Sequence, residues 1–227
     1  MSSEARANIL ARLRGTRPPF PDLPSAPEAP LPVARLSDDE LRDPAARLAR
    51  FTAEVERLTG KVYIANDAEA AIETVLQLVR EENAAAALVW NDLPLHGVFE
   101  ALVAAGITLH GPQLSGDARR EVYAAVDAIP VGITGADYAF AATGTLVLAT
   151  ANDRGRLPSL LPPTHIALLP KERLLPRLED WAKQHGVEML DSARSVTFVT
   201  GPSRTGDIEM QIILGVHGPK QIRIVVW

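Results

Sequence analysis

Small and polar residues surround an arginine near the carboxyl end of the chain. Arg204 offers a planar guanidinium that suits a carboxylate or phosphate. The segment follows an apolar strand pattern and is predicted to open a helix, where free backbone amides favour anions. The predicted ligand-binding residues here are Gly201, Ser203, Arg204, Thr205 and Gly206.

The spacing of the glycines in this segment imitates a phosphate-binding P-loop, but Asp207 stands where that motif needs lysine. A carboxylate there repels a nucleotide triphosphate, so an ATP site of that kind is excluded. Asp207 and Glu209 are candidate catalytic carboxylates. They could equally be first-turn acids that stabilise the dipole of the predicted helix.

A second candidate segment, residues 131–138, combines glycines with a threonine and an aspartate. Its predicted ligand-binding residues are Gly132, Thr134, Gly135 and Asp137, because such a backbone can approach an anion closely. The alternative is ordinary turn chemistry, with Asp137 capping backbone amides.

His217 is the third candidate, because it lies between Gly215 and Gly218 in a predicted loop. A histidine in that setting can act as a general acid–base or as a hydrogen-bond donor near neutral pH. It could also be an exposed loop residue without a role. His165, after two prolines, is expected to be a partly buried residue with its hydrogen bonds satisfied.

Several classes of site are unsupported by the sequence. The chain has no cysteine, so it can form neither disulfides nor thiolate-held iron–sulfur clusters by itself. The sequence has no His-x3-His or Glu-x2-His pair of the kind that holds a metal, and there is no dinucleotide-binding glycine fingerprint or nucleophile elbow. We therefore expect no metal and no cofactor held by this chain.

Composition narrows the class of protein. The chain has 227 residues, 47% of them hydrophobic and 22% charged, which is typical of a globular protein. The net charge of −5 argues against nucleic-acid binding. No apolar run is long enough to span a membrane, and residues 1–6 do not resemble a secretory signal. We expect a soluble cytoplasmic protein.

The chain is predicted to comprise an N-terminal arm, residues 1–36, and one domain, residues 37–227. Residues 3–14 have the pattern of a short amphipathic helix, and seven prolines follow between positions 18 and 32. That proline-rich stretch cannot be helix or central strand. The arm is either a tail or a segment that docks on another subunit of a homo-oligomer.

From residue 37 to residue 130, short apolar strands alternate with amphipathic helices. This pattern predicts a parallel sheet covered by helices. Farther on, two extended runs around Gly144 predict a hairpin set into the same sheet. Helices are predicted over 171–185 and 206–214, and a final strand over 222–227. The fold class is α/β, with a mixed, mostly parallel sheet flanked by helices.

In such sheets, ligands bind outside the carboxyl ends of the strands. We therefore expect the 132–137 loop, Arg204 and His217 to line one cleft for a small carboxylate or phosphate.

Taken together in order, five segments resemble the LUD-domain family of lactate-utilisation proteins: 132–138, 143–146, 161–166, 199–209 and 215–219. The resemblance implies a fold similar to glucosamine-6-phosphate deaminase, ribose-5-phosphate isomerase and CoA transferases. It also implies a role in oxidising L-lactate to pyruvate together with iron–sulfur partner proteins. Thr143 and Gly144 belong to this set and are added to the predicted ligand-binding residues.

One position departs from the family. Members commonly have glutamate where this chain has Ala142. In CoA transferases of related fold a glutamate is the covalent nucleophile, and alanine offers none. Independent acyl-transfer chemistry is therefore not expected.

Three functions remain open from the sequence. The first is an accessory subunit of a lactate-oxidising system that binds a small anion. The second is a stand-alone enzyme acting on a phosphorylated sugar or an acyl-CoA, and the third is a ligand sensor without catalysis.

Overall fold

The computed structural model describes residues 7–8, 11–12, 35–111, 126–151, 153–208 and 211–227; for 207–208 and 211–212 it describes the backbone alone. The chain divides into two compact units, Met1–Ala34 and Arg35–Trp227. In the first unit the described residues, 7–8 and 11–12, are helical. The proline-rich stretch of the predicted arm, residues 18–32, lies outside the described residues.

Two capped helices open the domain, α1 (Asp38–Arg42) and α2 (Pro44–Arg57). Ser37 forms a capping box with Glu40, as the sequence predicts. The Asp43 side chain accepts hydrogen bonds from two backbone amides at the start of α2. These caps fix where each helix begins.

The centre of the domain is a six-stranded sheet of β1 (Lys61–Ile64), β2 (Ala86–Val89), β3 (Thr108–His110), β4 (Val131–Gly135), β7 (Thr164–Leu169) and β12 (Gln221–Val226). The strand order is β1-β12-β7-β4-β2-β3. Every neighbouring pair is parallel. The middle strands β4 and β7 are buried along their whole length. The prediction of an α/β fold with helices around a parallel sheet is confirmed.

Short helices connect and cover these strands. They are α3 (Ala68–Glu81), α4 (Val98–Ala104) and α5 (Leu157–Leu160). Helix α3 buries one face, including Val75 and Leu78, against the sheet. No helix among the residues that the structure describes is both long and apolar enough to cross a membrane.

The hairpin around Gly144 belongs to a second sheet, so the prediction that it joins the first is wrong. Strands β5 (Tyr138–Phe140) and β6 (Thr145–Thr150) pair with β8 (Leu174–Leu175) and β9 (Ser195–Val199) in the order β8-β5-β6-β9. Both hydrogen-bonding edges of β4 are already occupied by β2 and β7. The chain leaving β4 therefore cannot pair with β4 itself, and β5 pairs instead with β6 and β8 in the second sheet.

The prediction of a helix over residues 206–214 is also wrong. Residues there form an antiparallel hairpin of β10 (Arg204–Ile208) and β11 (Gln211–Leu214). The segment contains Thr205, Ile212 and Ile213, whose branched side chains favour strands, and Gly206, which disfavours a helix interior. These local preferences outweigh the apparent first-turn acids.

The helix predicted over 171–185 begins later and ends later. A 3₁₀ turn (Lys171–Arg173) and β8 come first, and Pro176 lies two residues before the helical segment. Helix α6 (Leu178–Trp181) then passes through a π-helical turn (Ala182–Gly186) into α7 (Val187–Ser192). A single π-helical turn inside an α-helix is often found at a functional site.

Candidate anion-binding site at the carboxyl edge of the sheet

An arginine ties together three loops at the carboxyl edge of the parallel sheet. Arg154, shortly after β6, donates to Asp137 Oδ1 at 2.6 Å and to Asp92 Oδ2 at 2.5 Å and 3.2 Å. Asp137 follows β4 and Asp92 follows β2. The guanidinium also lies 5.4 Å from the centre of the Trp90 ring. Arg154 therefore holds its own segment across the ends of β2 and β4.

Backbone contacts fix the same segment. The Trp90 indole donates to the carbonyl of Gly155 at 2.8 Å, and the amide of Asn91 donates to the carbonyl of Asp153 at 3.1 Å. Because Trp90 is almost completely buried, its indole is a fixed anchor. The segment that follows β6 is thereby positioned on both sides of Arg154.

Two depressions share this segment. The first, which we call the Tyr138 cavity, has a volume of about 380 Å³. It is lined by Asp137, Tyr138, Ala149, Thr150, Ala151, Arg154, His185, Glu188, Met189, Ser192 and Ala193.

The wall of the Tyr138 cavity includes a pair of stacked rings. His185, in the π-helical turn, lies 4.5 Å from Tyr138 between ring centres, with 18° between the ring planes. Glu188 and Ser192 contribute a carboxylate and a hydroxyl from α7. The cavity thus combines an aromatic surface with hydrogen-bonding groups.

The second depression, which we call the arginine groove, has a volume of about 440 Å³ and is lined by Thr150, Ala151, Gly155, Arg156, Arg194 and Ser195. Arg156 and Arg194 are exposed, and the Arg156 guanidinium has no ion pair with any residue in the described part of the chain. The Thr150 hydroxyl lies 2.9 Å from the Ser195 hydroxyl. Two guanidinium groups and two hydroxyls are the groups that carboxylates and phosphates bind.

The two depressions differ in the charge of the residues that line them. In the Tyr138 cavity, the two carboxylates of Asp137 and Glu188 outnumber the one guanidinium of Arg154. In the arginine groove, the described lining residues include two guanidinium groups and no carboxylate. Because the Arg156 guanidinium has no ion pair in the described part of the chain, Coulombic attraction draws an anion to the groove, next to the cavity.

Three of the sequence-predicted site residues lie inside β4 and not in a loop. A Cβ on Gly132 would lie 1.8 Å from the carbonyl oxygen of Pro158, and one on Gly135 would lie 2.7 Å from Pro94 Cδ. These glycines allow helix α5 and the chain after β2 to pack directly on the strand. Thr134, between them, is fully buried.

Thr134 is the partner of the buried histidine. Its hydroxyl lies 2.8 Å from His165 Nε2 on the neighbouring strand β7. Burial lowers the pKa of His165 to about 4, so the imidazole is neutral near pH 7. The expectation that His165 is partly buried with its hydrogen bonds satisfied is wrong: it is fully buried, and Nδ1 has no partner among the described residues.

Asp137 is not the local turn cap that the alternative interpretation of its segment proposed, because its partners are 12 and 17 residues farther along the chain. Its Oδ2 accepts a hydrogen bond from the amide of Ala149 at 2.7 Å, while Oδ1 accepts from Arg154. The carboxylate lines the Tyr138 cavity, but both oxygens have protein partners. It positions Arg154 and the exit of β6.

Thr143 and Gly144 lie at the opposite end of the hairpin. The Thr145 hydroxyl lies 2.7 Å from that of Thr143 and 2.8 Å from that of Thr200. Gly144 has φ 64°, and a Cβ there would lie 2.9 Å from the amide nitrogen of Val55 in α2. Glycine is required here by both conformation and space. The neighbouring Ala142 is buried.

The Arg204 segment lies at the amino edge of the parallel sheet. Arg204 donates to the carbonyl of Leu58 at 2.5 Å and to the Thr59 hydroxyl at 3.2 Å, just before β1. The amide of Ser203 donates to the carbonyl of Pro219, just before β12. Gly201, Thr205, Gly206 and His217 belong to this same region.

The expected single cleft is therefore not formed. Arg204 and His217 lie near the amino ends of β1 and β12, whereas Asp137 follows the carboxyl end of β4. The two groups of residues are therefore separated by the length of a strand, about 16 Å for five residues, and by up to three strand spacings across the sheet, about 14 Å. Because the helix predicted from residue 206 is a hairpin, Arg204 has no helix amides beside it.

The two predicted carboxylates cannot be placed in a site. Asp207 lies in β10, of which only the backbone is described at that residue, and Glu209 lies outside the described residues. His217 is exposed in the loop between β11 and β12. No group of three or more histidines or acids with the geometry of a metal site occurs in the part of the chain that the structure describes.

The sequence interpretation missed the residues that do line the carboxyl edge. Arg154 and Arg156 flank a glycine directly after a strand, which is a recognisable signal for an anion-binding loop. Arg194 and His185 give no such signal, because they come from a segment that was predicted as helix and linker. Their proximity to Arg156 and Tyr138 depends on the second sheet.

The model of the LUD domain family matches residues 48–227. The chain belongs to the LUD domain family. A relative named lactate utilization protein C, from Shouchella clausii (strain KSM-K16), is 32% identical over 161 residues, which cover 68% of each chain.

Other relatives with that name match this chain over shorter segments. The one from Oceanobacillus iheyensis is 46% identical over 99 residues, 42% of each chain. The one from Bacillus subtilis (strain 168) is 41% identical over 92 residues, 39% of this chain and 38% of the relative. These matches span about two fifths of the length of each relative.

A solved structure has the same fold. A DUF162 family protein from Deinococcus radiodurans superimposes with a TM-score of 0.62 over 81% of this chain and 98% of that one. The sequence identity is 21%, so the likeness concerns the fold of the LUD domain alone.

Proposed function

We propose that this LUD-domain protein is an accessory subunit of a lactate-utilisation system and binds a small anion in the arginine groove. The observation that carries the proposal is the placement of Arg156 and Arg194 beside two hydroxyls at the carboxyl edge of a parallel sheet. Ligands of open α/β folds bind at that edge. The names of the relatives supply the connection with lactate.

Electron transfer requires partners in this proposal. Oxidising L-lactate to pyruvate removes two electrons and two protons, which an acceptor must take up. This chain has no cysteine with which to hold an iron–sulfur cluster. We infer that iron–sulfur partner proteins in the cytoplasm carry the electrons, while this subunit holds the anion.

Isothermal titration calorimetry with L-lactate, pyruvate and inorganic phosphate tests anion binding. Arg156→Ala should weaken the bound anion about 10-fold or more, since a charge-assisted hydrogen bond contributes about 1.5–3 kcal/mol. Arg42→Ala, on the exposed face of α1, is the matched control for loss of one positive charge.

The variant Arg204→Ala distinguishes anion binding at the amino edge of the sheet from binding at the carboxyl edge. If it abolishes binding while Arg156→Ala does not, the anion binds at the amino edge and the proposed site is wrong. If none of the three anions binds the wild-type protein at millimolar concentration, the proposal of an anion-binding subunit fails.

The subunit role has its own experiment. An affinity-tagged chain expressed in a cell that oxidises lactate should co-purify with proteins that contain iron–sulfur clusters, seen as iron and acid-labile sulfide in the eluate. Recovery of the chain alone, together with lactate oxidation that is unchanged by deleting its gene, would contradict the role.

A further inference from the structure

The Tyr138 cavity adjoins the arginine groove, and the two have walls in common. Thr150 and Ala151 line both depressions. A ligand whose anionic group occupies the groove can therefore extend into the cavity beside it. Each volume falls in the range of binding sites for organic ligands much larger than a three-carbon acid.

The chemistry of the Tyr138 cavity fits a flat ring. The stack of His185 on Tyr138 presents an aromatic surface on which another planar ring can lie. The π-helical turn (Ala182–Gly186) brings His185 into that stack. Aliphatic and thioether atoms of Ala149 and Met189 complete the apolar part of the wall.

The polar groups of the same cavity fit the edge of a heteroaromatic ring. Arg154 uses three of its five N–H donors on Asp92 and Asp137, and no other described residue takes up the remaining two. Glu188 offers acceptor oxygens, and the Ser192 hydroxyl, which donates to the Glu188 carbonyl at 2.8 Å, can also accept a hydrogen bond. Donors and acceptors within one cavity suit a ring whose edge carries both.

The groove, by contrast, suits a group with two negative charges. Arg156 and Arg194 match a phosphate monoester, which is largely dianionic near neutral pH. The slight excess of carboxylates in the cavity repels a second anionic group there but not a neutral ring.

We propose that the two depressions form one bipartite site for a nucleoside phosphate, with the phosphate in the arginine groove and the base in the Tyr138 cavity. This inference rests on the proposed anion-binding role of the groove and names the class of ligand. It differs from a site for lactate alone, which would leave the aromatic cavity without an occupant.

Calorimetric titration at fixed ionic strength tests the inference with matched probes. These are the monophosphates of adenosine, guanosine, cytidine and uridine, ribose 5-phosphate, and adenosine. At least one nucleotide should bind about 5-fold more tightly than ribose 5-phosphate, the lower end of what stacking on an aromatic side chain contributes. Adenosine without phosphate should bind more weakly than its monophosphate.

Variants test which half of the site binds the base and which binds the phosphate. His185→Ala should remove most of the advantage of the nucleotide and leave the affinity for ribose 5-phosphate unchanged, and His185→Phe should retain the advantage because it keeps a ring in the stack. Arg156→Ala should weaken nucleotide and ribose 5-phosphate by the same factor.

Two results would overturn the bipartite site. In the first, ribose 5-phosphate binds as tightly as every nucleotide. In the second, His185→Ala weakens ribose 5-phosphate as much as the nucleotides. Binding of L-lactate that depends on Arg156, with no binding of any phosphate, would overturn this inference and leave the proposed function standing. Absence of binding for lactate, pyruvate and all phosphates would overturn both.

Discussion

Replacing Arg154 with alanine should destabilise the domain much more than removing its exposed partner. The side chains of Arg154 and Asp137 are 24% and 12% exposed, so their hydrogen bond at 2.6 Å is shielded from water. A shielded, charge-assisted hydrogen bond contributes about 1.5–3 kcal/mol, and the contact with Trp90 adds about 0.5–1 kcal/mol. Asp92 is 64% exposed, so its ion pair adds less than about 1 kcal/mol.

We therefore expect Arg154→Ala to lower the free energy of unfolding by about 3 kcal/mol, and Asp92→Asn by less than about 1 kcal/mol. Urea unfolding followed by tryptophan fluorescence and circular dichroism measures both, and the midpoint of Arg154→Ala should fall by about 1–2 M. Equal losses for the two variants would refute the argument that burial of the Asp137 pair makes Arg154 the anchor of this edge. So would a loss below about 0.5 kcal/mol for Arg154→Ala.

Three further predictions concern the buried strands. Gly132→Ala should cost about 3 kcal/mol or more, because its Cβ would lie 1.8 Å from the backbone oxygen of Pro158; Gly206→Ala, with no atom within 4 Å of the added Cβ, should change the urea midpoint little. The buried His165 has a pKa of about 4, below its value near 6.5 in the unfolded chain, so the unfolded state binds more protons between these pH values. The free energy of unfolding should accordingly decrease as the pH is lowered below about 6.5. At about pH 5 the decrease should be about 2 kcal/mol larger in the wild type than in His165→Gln. Parallel curves of stability against pH for the two proteins would show that His165 is not the cause. Thr134→Val should lower stability by about 1–2 kcal/mol, since it removes the partner of His165, and an unchanged midpoint would mean that the 2.8 Å contact contributes nothing.

The features that the sequence predicts well depend on local signals. The capping box at Ser37 and the Asp43-Pro44 pair mark helix starts through side-chain chemistry within three residues. Short apolar strands that alternate with helices predict a parallel sheet, because buried parallel strands need helices on both faces. These signals do not depend on distant contacts.

The features that the sequence predicts badly depend on distant contacts or on competing preferences for helix and strand. The 206–214 segment has acids at its start like a helix and branched residues like a strand, and pairing between β10 and β11 decides the outcome. The glycines of β4 look like a ligand-binding loop, but they are explained by the close approach of Pro158 and Pro94. Sequence spacing does not show which backbone will pack against a glycine.

The position of the candidate site could not be predicted for the same reason, because it depends on contacts between segments far apart in the sequence. Arg156 and Arg194 line one groove because β9 pairs with β6 in a second sheet, with Thr150 opposite Ser195. The predicted residue Arg204 has the chemistry for an anion, yet β9 runs away from the carboxyl edge, from Ser195 opposite Thr150 to Val199 opposite Leu146, and leaves Arg204 at the other edge of the domain. Residue type can predict the chemistry of a site, but the topology of the second sheet decides its place.

A titration followed by two-dimensional ¹⁵N–¹H NMR tests the central claim most directly, since it locates a weakly bound anion without a variant. With inorganic phosphate or L-lactate added to the labelled protein, we expect saturable shifts in the amides of Thr150, Ala151, Gly155 and Ser195, and no comparable shifts around Arg204. Shifts confined to residues 201–206 and to the loop around His217 would contradict the account and place the anion at the amino edge of the sheet.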